Sequence, residues 1–98
     1  MARNGLEQLL GAAIRELSGP LPDRERACGW DDNLWRTCRE HLMDIQEGVT
    51  QGRITEDHAP EMNIPRALDH EGVLSGRMLE LIAKLSEAYE RRFHRHHA

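Results

Sequence analysis

The stretch RALDHEGVLSGRMLELIAKLSEAYERRFH, residues 66–94, decides the fold that the sequence predicts. Apolar residues recur in it at spacings of three and four, which places them on one face of an α-helix. Gly72 and Gly76 weaken its first part, so either the regular helix starts near Val73 or the small residues admit a close neighbour. A helix over about 66–94 would be roughly 43 Å long at 1.5 Å per residue. Its apolar stripe comprises Leu68, Leu74, Met78, Leu81, Ile82, Leu85, Ala88, Tyr89 and Phe93.

Two shorter helices are predicted before this one. The first covers about 4–18, with Asn4 as its N-cap and Ser18-Gly19-Pro20 as its stop signal. The second covers about 31–51 and begins at Asp31 or the acid that follows it, because short acids cap the first amide groups of a helix. No strand-like alternation appears in the sequence.

The chain is therefore predicted to be all-α, a small three-helix bundle with a long C-terminal helix, and a single domain over residues 1–98. A first helix of about 14 residues would be roughly 21 Å long. Such a helix is too short to cover the stripe of the third, so the uncovered apolar surface predicts a second copy packed as a helical homodimer.

Charge is unevenly distributed along the sequence. The chain has 17 acids and 13 Lys or Arg residues. The segment from Glu40 to Glu71 contains eight acids and only two of these bases, Arg53 and Arg66. Nucleic-acid binding needs a basic patch, the opposite balance. No apolar run reaches the ~18 residues of a membrane span, and the first residues lack the apolar block of a secretory signal. The cytoplasm is thus the expected compartment, with Cys28 and Cys38 as thiols.

Seven apolar residues are candidates for partner contact. Trp30 and Trp35 flank the capping acids of the second helix, and an exposed Trp pair would suit a binding hot spot. The alternative places both rings at one end of the bundle core. The other candidates are on the third helix, and the full set is Trp30, Trp35, Leu74, Met78, Leu81, Leu85 and Tyr89.

A second set of residues has spacing that would suit a transition metal. His and carboxylate three residues apart share a helix face, as His41 and Asp44 do, and His58 and Glu61 repeat the spacing. Cys38 precedes His41 by three residues and could add a thiolate. The alternative is a small core thiol with histidines in an acidic neighbourhood, and the chain has no Glu-x-x-His motif of the di-metal bundles.

Catalytic signatures are missing from the sequence: it has no phosphate-cradling Gly-rich loop, nucleophile motif or dinucleotide fingerprint. The leading prediction is a non-enzymatic protein–protein interaction protein, an adaptor, inhibitor or accessory subunit, without a cofactor. It would bind itself or another protein through the acidic segment 40–71 or the exposed stripe of the third helix. A transition-metal-binding bundle is the alternative, and a nucleic-acid-binding regulator is a third hypothesis.

Overall fold

Five α-helices make up the structure, a computed structural model that describes residues 5–93. They are α1 (Leu6–Leu17), α2 (Asp23–Arg26), α3 (Asp32–Thr50), α4 (Ile64–His70) and α5 (Arg77–Phe93). The described residues include no strand, and Thr55 and His58 form an isolated β-bridge. The all-α prediction is confirmed. Over the same residues, none of the helices combines the length and apolar character that crossing a bilayer requires.

The predicted single helix over about 66–94 is wrong, because two glycines divide this segment into α4 and α5. Gly72 adopts φ +95°, and the next N–H, of Val73, donates to the Leu68 carbonyl at 2.9 Å. This closed turn ends α4. Gly76, at φ +116°, directly precedes α5. Residues with a Cβ rarely adopt these conformations, so the glycines interrupt a helix that the apolar spacing alone would continue.

Local signals also set the ends of α3. The Asp31 carboxylate Oδ1 accepts a hydrogen bond from Leu34 N at 2.7 Å, which caps the first turn. At the other end Gly52 has φ +77°, and Arg53 N donates to the Gly48 carbonyl at 2.8 Å. The predicted helix over about 31–51 corresponds to α3. The predicted helix over about 4–18 corresponds to α1, while its proposed cap Asn4 lies outside the described residues.

The core lies where α1 packs against both α3 and α5, while α4 packs mainly on α5. Apolar residues at helical spacing on α1, α3, α4 and α5 point into it, because that burial is the main favourable term in folding. The apolar residues with no exposed surface are Leu10, Ala13, Leu17, Leu42, Met78, Ile82 and Leu85.

The apolar stripe of α5 is covered within one chain. Met78 and Leu85 are fully buried and Leu81 is half-buried. Leu74, which is 69% exposed, lies in the link before α5 and not on a helix. The length mismatch from which the homodimer was predicted is also small, since α1 has 12 residues and α5 has 17. The homodimer stays a prediction, but it is no longer supported by an uncovered apolar stripe or by a large difference in helix length.

A buried acid fixes the start of α5. The Glu25 side chain, on α2, is 3% exposed, and its Oε2 accepts a hydrogen bond from Met78 N at 3.1 Å. It thereby satisfies an amide that the first turn of a helix leaves without an intrahelical partner. Nearby, a Cβ on Gly29 would come within 2.5 Å of the Gly72 carbonyl oxygen. The α2–α3 link thus lies directly against the α4–α5 link.

Candidate interaction surface

The two tryptophans suggested for partner contact are core residues. Trp30 and Trp35 are 2% and 5% exposed, and their rings meet edge to face with centroids 5.0 Å apart. The Trp35 indole N–H also donates to the Gly19 carbonyl at 3.1 Å, which joins α3 to the end of α1. The two rings therefore do not form an exposed pair. They agree instead with the alternative prediction, in which both rings lie in the core of the bundle.

The other predicted contact residues are similarly engaged within the chain, apart from Leu74. Tyr89 is 1% exposed, its hydroxyl donates to the Pro60 carbonyl, and its ring packs against Phe93. Burial, and to a lesser degree the charge of Glu90, raises the pKa of Tyr89. With Met78 and Leu85 buried and Leu81 half-buried, this set offers a partner little beyond Leu74.

The five candidate metal ligands have no common centre. Across residues 5–93, no group of three or more His, Cys, Asp or Glu side chains is placed to hold a metal ion. His41 and Asp44 are exposed on α3, and His58 and Glu61 are exposed in the link between α3 and α4. Burial raises the pKa of the Cys38 thiol to about 12. A cysteine binds metal as its thiolate, so this burial opposes ligation.

A different surface, along the outer side of α3, combines apolar and acidic character. We call its two ends the apolar cleft, between α3 and α4, and the acidic face, toward the C-terminal end of α3. A shallow depression joins the two ends. It adjoins the cleft across Thr37 and His41, and it adjoins the acidic face across Glu40 and Asp44. The whole is called the α3 surface below.

The apolar cleft has a volume of about 120 Å³. Its floor is made by Cys38 and Leu68, which are 5% and 1% exposed, with Ile64 beside them. The exposed residues Thr37 and Ala67 stand on opposite helices at its edge. The cleft exists because α4 packs on α5 rather than closing onto α3.

The acidic face has four residues at helical spacing, Glu40, Met43, Asp44 and Glu47, all of them exposed. Among the described residues no ion pair reaches Glu40 or Asp44, whereas Glu47 lies 3.9 Å from Arg53. Met43, at 48% exposure, is one of two large hydrophobic side chains exposed in the part of the chain that the structure describes. Methionine adapts its shape to a partner, which suits an exposed contact residue.

Sequence reasoning identified the charge of this surface but not its apolar cleft. The acids between 40 and 71 were visible as a cluster, and the spacing of Glu40, Met43, Asp44 and Glu47 is a helical face. Ile64 and Ala67, in contrast, line the cleft only because the chain turns after α3 and lays α4 alongside. Geometrically, the surface can receive an apolar side chain beside a row of negative charges. Comparison of the chain with protein-family models, with curated proteins and with solved structures gave no match.

Proposed function

We propose that this chain is a small non-enzymatic interaction protein, an adaptor, inhibitor or accessory subunit, which acts in the cytoplasm through the α3 surface. The observation that carries the proposal is that the apolar cleft is joined by the shallow depression to Glu40 and Asp44, which lack ion-pair partners within residues 5–93. Interaction sites typically join a desolvated apolar centre to a polar rim that selects the partner.

The two acids Glu40 and Asp44 repel each other on α3. Glu40 and Asp44 are four residues apart on one helix, and like charges at that spacing destabilise a helix by about 0.2–0.5 kcal/mol. A partner carrying positive charge would remove this repulsion and would be steered toward the surface before contact. The α5 stripe, the other surface considered from sequence, is mostly internal. The α3 surface is therefore the one we assign to partner binding.

Charge reversal on the α3 surface tests the proposal. We expect a pull-down from the native host to recover the same partner with the wild type and with a Glu87→Lys/Glu90→Lys variant. A Glu40→Lys/Asp44→Lys variant should lose that partner. Both double variants make the same change in net charge at exposed helical positions, so the control separates a local effect from a change in overall charge.

Thermal unfolding of all three proteins shows whether they are equally folded. Equal recovery of the partner by the two double variants would contradict the proposal, as would the absence of any partner beyond those of an unrelated acidic protein. Sedimentation of the purified wild type distinguishes a second copy of the chain from a different protein. A reversible dimer that the Glu40→Lys/Asp44→Lys change dissolves would identify the partner as the chain itself.

A further inference from the structure

Resting on the proposed function, we infer that the α3 surface binds a basic helical segment of another protein, which inserts one large apolar side chain into the apolar cleft. The inference concerns the chemistry of the partner and the position of its anchor. Three properties of the surface support it: the size of the cleft, the charge beside it and the straight path between the two.

The apolar cleft is sized for one anchor. An apolar cavity of about 150 Å³ accommodates benzene, and the cleft measures about 120 Å³. Its floor of Leu68, Ile64 and Cys38 presents almost no polar surface, so a polar side chain placed there would lose its hydration without gaining hydrogen bonds. One leucine-sized or phenyl-sized side chain is therefore the best match, and such buried anchors dominate the affinity of interfaces.

The charge beside the cleft selects a cation. Glu40 and Asp44 adjoin the edge of the cleft across the shallow depression. The exposed Met43 and Glu47 lie farther round α3. Phosphate groups or an acidic peptide would be repelled by these carboxylates, whereas Arg and Lys would pair with them. Arg also packs its long stem on apolar surface such as Met43 while its head pairs with carboxylate.

The path between cleft and acids follows one helix. Thr37, His41 and Asp44 follow Leu34 at spacings of three and four, so they share one face of α3. From Leu34 to Asp44 this face is about 15 Å long at 1.5 Å per residue. A partner helix of the same length would place its apolar anchor at one end and basic residues on the same face over the next turns. Amphipathic helices bind apolar grooves in this way, with anchors at helical spacing.

A displayed library of random 14-residue peptides, selected on the whole chain, tests the inference. We expect enrichment of sequences with one large apolar residue followed on the same helical face by Arg or Lys. An Ala67→Phe variant fills the cleft from an exposed position and should raise the Kd of a selected peptide at least about tenfold. Ala83→Phe, at an exposed position on α5, makes the same change away from the cleft and should leave the Kd unchanged.

Other results would overturn the inference. They include no enrichment, enrichment of acidic peptides, and equal binding by the two Phe variants. If the Ala67→Phe change dissolved a dimer of the wild type, the inference would also be overturned, because the side chain in the cleft would then come from a second copy of this chain. A native partner that requires Glu40 and Asp44 but tolerates Ala67→Phe would refute the anchored helix and leave the proposed function standing. A partner indifferent to all of these changes would refute both.

Discussion

The side of the molecule where α1 packs on α5, called the α1–α5 side below, differs from the α3 surface in how it places acidic and apolar side chains. On the α1–α5 side, Arg92 and Arg77 reach across to Glu7 and Glu16 at 2.9 Å, and the apolar stripes of both helices are buried. On the α3 surface, Glu40 and Asp44 have no ion-pair partner among the described residues, and an apolar cleft remains open. The chain covers its apolar surface where its charges alternate and leaves it accessible where charges of one sign accumulate.

The ion pairs are not what holds the α1–α5 side together. Exposed pairs of this kind contribute about 0.2–1 kcal/mol each, whereas a buried leucine contributes about 1.5–3 kcal/mol. The difference between the two sides therefore lies in packing. Buried packing, on the α1–α5 side as in the rest of the core, determines stability. In the function proposed above, the charges of the α3 surface select the partner.

The largest expected effect comes from breaking the α1–α5 side. Leu85→Ala removes a fully buried side chain and should lower the free energy of unfolding by about 2–5 kcal/mol. Leu74→Ala removes the same atoms from a side chain that is 69% exposed, and it should change stability by less than about 0.5 kcal/mol. Urea denaturation of both variants measures the difference. Equal losses would mean that Leu74 is covered in solution, which is what a homodimer through the C-terminal segment requires.

The sequence predicted the helical class and the Asp31 cap well because these depend on short-range chemistry. Asp31 caps α3 through its own neighbour Leu34, and the apolar spacing of α5 survives in its buried face. The division of residues 66–94 was missed for a related reason. Gly72 and Gly76 were seen as weak helix formers, but Gly72 adopts the positive φ of a local turn that ends α4. Gly76 in turn lies against Glu25 and Cys28, which come from a distant segment of the chain.

Those distant contacts could not be obtained from the pattern of residues. Glu25 is separated by 53 residues from the amide that it caps, and its position in an acidic, Arg-rich turn resembles an exposed charge. The cleft was hidden in the same way, because Ile64 and Leu34 meet only after α4 has folded back. The expectation of an uncovered stripe had a different origin, the assumption of one long helix over residues 66–94 that α1 was too short to cover.

An intermediate effect is expected at Glu25, which affects the start of α5 without touching the α3 surface. Glu25→Ala leaves Met78 N without its acceptor in a buried position and should cost about 1–3 kcal/mol. Glu25→Gln retains a carbonyl acceptor of the same shape and should cost less. The measurement is chemical denaturation, with amide hydrogen exchange at Met78 reporting the local effect. Equal stability of Glu25→Ala and the wild type would show that water replaces the carboxylate at this amide.

The smallest expected effect is the change in stability when acids are neutralised, and it should have opposite signs on the two sides. Neutralising the acidic face with Glu40→Gln/Asp44→Asn removes repulsion and should raise stability by less than about 0.5 kcal/mol. Glu16→Gln removes the ion pair with Arg77 and should lower stability by about 0.2–1 kcal/mol. Thermal unfolding in about 0.01 M salt, where screening is weak, should resolve both changes, and about 1 M salt should shrink them. If the double variant were less stable than the wild type, Glu40 and Asp44 would have partners within the fold. The acidic face would then be a part of the protein's own stabilisation, and its carboxylates would have no unmet charge to offer a basic helix.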